Sequence, residues 1–207
     1  MTNPTHLQIT FHAFDQLDLP RGLILDVGCS EGYCKYEFIN RGFNWVGCDN
    51  QFEQQNMPIV KNNAENLKDF ADHSIDIIFA CHVLEHIERP IDALREFKRV
   101  LKDDGFLFIS MPLLCEHQLK EADHIFVMNE QQVLKWLSYV KFIWSMYLYN
   151  KNNDCVEQGS QFFLCRKKDD WKMLNTKCSK CGKEKKAFNH NLISSCCEQQ
   201  MEVIENV

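Results

Sequence analysis

No run of about 18 apolar residues occurs in this chain, so no helical membrane span is expected. The first 16 residues lack a basic start followed by an apolar core, so they do not read as a signal peptide. A cytoplasmic protein is therefore expected. Positive charge is scarce: 23 Lys and Arg stand against 29 Asp and Glu, a net charge of −6. That balance argues against a general binder of nucleic acid or membrane surface. Glycines are missing where a dinucleotide fingerprint needs them. A G-x-G-x-x-G motif started at Gly28 requires glycine at positions 30 and 33, and the chain has Ser30 and Tyr33.

What is present reads as one α/β domain with a small appendage, on a chain of 207 residues that is 45% hydrophobic. Leu23 to Val27 form an apolar run without alternation, the mark of a strand buried on both faces. The run carries Asp26 and ends in Gly28-Cys29-Ser30-Glu31-Gly32. A helix is expected from about Glu31 to Arg41. Strand, glycine turn and helix make the first unit of a nucleotide-binding sheet, with Gly28 leaving room for close backbone approach to a ligand. A further helix is expected over Thr5 to Leu17. Phe43 to Cys48 is a second strand ending at Asp49, about 20 residues past the glycine turn, where an acid can accept from both hydroxyls of a ribose. Pro58 to Lys61 and Ser74 to Cys81 are the third and fourth strands. Pro90 opens a helix with Ile91, Leu94, Phe97, Val100 and Leu101 at helical spacing, and Gly105 is expected to stop it. Phe106 to Met111 is the fifth strand. Residues 113–129 form a loop past a strand end, where substrates are met, with Asp123 and His124 as its candidate reactive pair. Asn129 caps the next helix, and Val140 to Tyr149 and Gln161 to Arg166 complete the sheet as an antiparallel pair.

His82-Val83-Leu84-Glu85-His86 fits the H-x-x-E-H spacing of an inverted zinc-protease helix. A buried strand runs directly into it and Pro90 follows four residues after His86, which leaves little room for that helix. His86 is expected to be a structural hydrogen-bonder.

Eleven cysteines fall into two groups. Seven are scattered, several inside apolar runs, as small buried hydrophobes. Cys178, Cys181, Cys196 and Cys197 cluster in a tail of different composition. From Trp171 to Val207 six lysines face four glutamates, leaving the tail at +2 and the remainder at −8. A Cys-x-x-Cys turn followed by glycine bends around a metal, and four thiolates complete a tetrahedron, for zinc first and iron second.

The segment from Asp26 to Gly32 resembles motif I of class I S-adenosylmethionine (SAM) methyltransferases in its D-V-G-C-x-x-G form, with Ser30 where the family commonly has glycine. Asn63-Ala64-Glu65-Asn66-Leu67 is similar to the family's D-A-E-N-L segment. Phe79 to Ile87 is similar to the F-x-x-x-V-L-E-H segment of its small-molecule type. The resemblance implies a Rossmann-like seven-stranded sheet, mostly parallel with one antiparallel strand, over residues 1–168. It implies SAM contacts from Asp26, Gly28, Cys29, Ser30, Gly32, Asp49, Asn50, Asn63, Ala64, Ala80, Cys81 and His82, and in-line methyl transfer to an acceptor that is expected to be a small molecule. The tail, 171–207, resembles desulforedoxin-like metal ribbons. An alternative from another class stays open: a SAM-binding module without turnover that acts on a partner protein through its ribbon. An iron ribbon working in electron transfer is a third.

Overall fold

The computed structural model describes residues 4–54, 56–112, 122–149, 160–167, 174–177, 184–187 and 202–204. Helix α1 (Pro4–Asp15) leads into β1 (Leu23–Val27), followed by α2 (Lys35–Asn40), β2 (Asn44–Asp49), β3 (Ile59–Lys61) and β4 (Ile75–Cys81). One turn of 3₁₀ helix, Leu84–His86, precedes α3 (Pro90–Val100), β5 (Leu101–Pro112), α4 (Glu130–Tyr139), β6 (Ile143–Tyr149) and β7 (Ser160–Arg166). Three short strands close the chain: β8 (Leu174–Lys177), β9 (Glu184–Ala187) and β10 (Glu202–Ile204).

The large sheet has the order β3-β2-β1-β4-β5-β7-β6. Neighbours run parallel except β7, which is antiparallel to both β5 and β6. The mostly parallel α/β architecture is therefore the expected one. The strand order reverses between β1 and β4, which opens a crevice above their C-terminal ends. The small strands form a separate antiparallel sheet, β10-β8-β9.

Alternating side chains of the central strands feed two apolar layers. Leu25, Val27, Ile78, Leu107 and Ile109 pack with α3 and α4 on one face. Ile24, Ile77, Phe79 and Phe108 pack with α1 and α2 on the other. That second face is an aromatic block in which Phe79 and Phe108 stack at 5.4 Å and Phe14 meets both rings edge-on.

Two expectations are corrected here. Helix α2 begins at Lys35 rather than Glu31, because Ser30 (φ +51°) and Gly32 (φ +85°) are left-handed and cannot belong to a right-handed helix. Gly105 does not stop α3. Leu101 is already extended and pairs with Ile75, and Phe106 next pairs with Ile77, so residues 102–105 bulge out of the ladder. Gly105 is there for space: a Cβ would stand 2.8 Å from the Asp76 carbonyl oxygen.

Candidate functional site

The C-terminal ends of β1, β2, β3 and β4 bring the predicted cofactor residues to one edge of the sheet. After β1 the chain turns sharply. The amides of Gly28 and Cys29 both donate to the Cys48 carbonyl, at 2.8 and 3.2 Å. Gly28 has φ +69°, and a Cβ there would meet Val83 Cγ2 at 2.7 Å. The glycine thus also serves the turn's own packing against Val83. Ser30 adopts the left-handed angle that glycine takes at ease. The turn that the resemblance ascribes to glycine is formed without it.

Asp49, at the end of β2, ties the turn to the second strand. Its Oδ2 accepts from the Ser30 amide at 2.9 Å, and its Oδ1 accepts from the Gln51 amide at 2.8 Å. Each carboxylate oxygen has a second lone pair, so Oδ2 keeps acceptor capacity beside its one bond. Asp26 lies deeper. It is buried, accepts from the Trp45 indole N–H at 3.1 Å, and is pushed up to about 7. Burial is the main cause; Trp45 opposes it and the charge of Asp49 adds to it. Trp45 was not among the predicted site residues, because nothing in its local sequence marks it as the partner of an acid on the next strand.

After β3, Asn63 is exposed and makes a local turn, its Oδ1 accepting from the Glu65 amide at 2.9 Å, while Ala64 is buried. Asn50 is exposed directly after Asp49. Ala80 is buried in β4 between Val27 and Ile109. The Cys81 thiol, beside Thr10, is pushed up to about 12 by burial, so it is no nucleophile at neutral pH. His82 follows with φ +54°, a costly angle for this residue, while its amide donates to the Ser110 carbonyl at 2.9 Å.

Beyond His82 the structure assembles a group that the sequence presents only in pieces. Glu85 is fully buried, with His82 Nδ1 at 3.2 Å from its Oε1. The Glu85 carbonyl accepts from the amides of Ile125 and Phe126, at 2.8 and 3.1 Å, and so pins residues 122–128 over the end of β4. That contact brings the predicted pair Asp123 and His124 to His86. The Asp123 carbonyl lies 3.0 Å from His86 Nδ1, and the His86 and His124 rings meet edge-on at 4.9 Å. The Asp123 carboxylate itself is largely exposed. The buried Gln161 amide donates to the carbonyls of Pro112 and Met128, at 3.0 and 2.9 Å, and holds both ends of the segment that follows β5.

Cys178, Cys181, Cys196 and Cys197, expected to bind metal, lie outside the described residues. A cavity of about 750 Å³ lined by Arg95, Lys98, Arg99, Lys141 and Lys167 opens at the ends of α3 and α4, and no predicted site residue lines it. No helix among the described residues is long and apolar enough to cross a membrane.

A parallel sheet with its reversal at β1 and β4, a glycine turn after β1 and an acid after β2 define an α/β protein of the nucleotide-binding kind. Residues 25–109 match the family described as methyltransferase domain. Among curated relatives, the tRNA U34 carboxymethyltransferase of Glaesserella parasuis is 25% identical over 172 residues, covering 72% of this chain and 51% of that protein. The chain thus spans about half the length of that relative. The ubiquinone biosynthesis O-methyltransferase of Actinobacillus pleuropneumoniae is 26% identical over 167 residues, covering 68% of this chain and 69% of that protein. The fold is shared with the 1,6-didemethyltoxoflavin-N1-methyltransferase of Burkholderia thailandensis, solved with S-adenosylhomocysteine bound. That match has a TM-score of 0.64 at 16% identity and covers 80% of this chain and 79% of that one. The match to the methyltransferase domain thus spans the segment from β1 to β5.

Proposed function

We propose that this chain is a SAM-dependent enzyme that moves a methyl group to a small-molecule acceptor. The observation that carries the reading is the join of the glycine turn to Asp49 through the Ser30 amide at 2.9 Å. It sets a carboxylate with spare acceptor capacity at the reversal point of the sheet, where a ribose would be held. Gly28, Cys29, Ser30 and Gly32 would border the cofactor from the β1 side, Asn50, Asn63 and Ala64 the adenine, and Ala80, Cys81 and His82 the methionine part, with Asp26 supporting from below. SAM supplies a methyl already activated on a sulfonium, so the chain mainly has to hold donor and acceptor in line. Residues 122–128, Asp123 and His124 among them, cover the end of β4 and would face the acceptor. The relative named for ubiquinone biosynthesis favours a small molecule, and a net charge of −6 disfavours a polyanionic acceptor.

Asp49→Asn is the test: it removes the charge, and its single amide oxygen can keep only one of the two accepting positions, toward Ser30 or toward Gln51. SAM binding should weaken by about 1–2 kcal/mol, the difference between a charge-assisted and a neutral hydrogen bond. Titration calorimetry on the folded variant measures it. Unchanged affinity would remove Asp49 from the ribose, and a wild type that takes up no SAM would remove the function.

Cys178, Cys181, Cys196 and Cys197 are further proposed to hold one zinc ion, with iron as the alternative. By sequence position the Cys-x-x-Cys falls between β8 and β9, and the cysteine pair falls between β9 and β10. A cytoplasmic setting suits the five free cysteines among the described residues.

A further inference from the structure

We propose that the basic cavity at the C-terminal ends of α3 and α4 binds a soluble compound with two or more linked phosphoryl groups, at the edge of the sheet opposite the predicted cofactor residues. The proposal does not depend on the methyltransferase reading above.

The cavity, of about 750 Å³, has the size of a small-molecule site. Five cations line it, Arg95, Lys98, Arg99, Lys141 and Lys167, against one acid, Asp103. That excess stands on a chain whose net charge is −6. The two arginines already hold carboxylates: Arg95 holds Asp92 at 2.8 Å, and Arg99 holds Glu96 at 2.8 Å and Asp72 at 2.6 Å. The Lys167 side chain is mostly buried, donates to the Leu101 carbonyl and lies 3.9 Å from Asp103.

Lys98 is met by neutral groups. Its Nζ donates to the carbonyls of Val140 and Lys141, at 2.8 and 2.6 Å, and stands 5.3 Å from the centre of the Phe142 ring. An ammonium has three donors, so one remains after these two bonds. Burial holds the Lys98 amine below its usual value, and the charges of Lys167 and Lys141 push it in the same direction. Three ammonium groups thus repel one another around the cavity, and an anion among them would relieve that repulsion. The helix ends do not cancel the field. The C-termini of α3 and α4 are the negative ends of their dipoles, but the Leu101, Val140 and Lys141 carbonyls are already occupied by Lys167 and Lys98.

Lys141 is kept in place against its backbone preference. It follows the C-cap of α4 with φ +60°, the left-handed angle at which helices usually place glycine. Strained residues of this kind cluster at ligand sites, and this one adds an exposed ammonium to the cavity wall.

Phosphoryl oxygens suit ammonium groups, which act as point charges without the planar match that arginine makes with carboxylates. Several cations around one cavity favour a multiply charged ligand. A nucleic-acid backbone would need its cations along a groove, on a chain less acidic than this one. Tyr139 is exposed at the cavity beside Arg95 and offers an aromatic face to a base when the phosphoryl groups arrive on a nucleotide. Leu101 opens β5 and Lys167 follows β7, so the cavity lies away from the C-terminal ends of β1, β2, β3 and β4. Its ligand is therefore a second one, bound apart from the reacting atoms.

Titration calorimetry of the full chain with inorganic triphosphate and with ATP tests the site. Each should bind with one equivalent and weaken as salt is raised. Tighter binding of ATP assigns the source to a nucleotide, and equal or weaker binding assigns it to an inorganic polyphosphate. Lys141→Gly removes an ammonium and relieves the left-handed strain, so the fold is kept; both ligands should bind it about threefold more weakly. Lys98→Met keeps the stem beside Phe142 and should weaken binding by about tenfold. SAM affinity should be unchanged in both variants. No uptake of either ligand by the parent overturns the site, as does undiminished affinity in both variants, which would place the anions on the tail. A single-stranded oligonucleotide bound more tightly than triphosphate would also overturn it, in favour of a nucleic-acid face. A parent that binds the polyphosphates but no SAM would overturn the methyltransferase reading and leave the cavity assigned.

Discussion

At Asp26 the fold takes a carboxylate out of water and gives it one donor, the Trp45 indole, while Asp49 adds negative charge close by. Its pKa rises from 3.8 to about 7, chiefly through burial. The consequence for stability has a definite sign. Between these two values the folded chain holds a proton that the unfolded chain has lost, so stability must fall as pH rises through this window. The contribution is complete below the unfolded value and lost above the folded one. At about 1.4 kcal/mol per pH unit, the loss amounts to several kcal/mol. Asp26→Asn keeps an acceptor for Trp45 and carries no charge. Its denaturation midpoint should lose the downward slope between about pH 4 and pH 7 and lie above wild type at pH 8. Equal slopes in the two proteins would show that Asp26 is hydrated in solution.

Elements show where sequence reading works and where it stops. The strands are legible to within about a residue at most ends, because a short unbroken apolar run bounded by turn residues fits a strand buried on both faces and little else. The capping box at α4 is legible from Asn129 alone, and the structure adds its reciprocal partner, Gln132. One glycine misleads, Gly105. Gly105 reads as a helix stop but sits inside a bulged strand, and only the approach of the Asp76 carbonyl, 29 residues earlier in the chain, reveals why it is glycine. Gly105→Ala should therefore destabilise the β4–β5 pairing by about 1–3 kcal/mol, as overpacking against backbone does. Urea denaturation gives the number, and a neutral result would mean the bulge can shift at no cost. The Glu85 group is illegible for the same reason of distance. His86 and His124 stand far apart in the sequence and are joined by hydrogen bonds from backbone amides, which leave no trace in residue type.

On the scale of the whole molecule, the tail poses a question of its own beside the large sheet. Its apolar residues are few, so a metal would supply most of its folding energy. The large sheet has its own two apolar layers. Cys178→Ser with Cys181→Ser should accordingly abolish thiolate metal binding while SAM affinity stays at the wild-type value. Calorimetry that found both lost together would make the tail part of the domain. Gln161 bears on the molecule's history rather than its chemistry. One amide nitrogen reaches both the Pro112 and the Met128 carbonyls, so those two oxygens are at most about 6 Å apart. Pro112 and Met128, 16 positions apart in the sequence, are thus held together by one side chain of β7. Doubling the length of such a closed stretch costs only about 0.6 kcal/mol. On the reading proposed above, the stretch between Pro112 and Met128 could thus change in length, and the acceptor with it, without disturbing the edge where the methyl donor would be held.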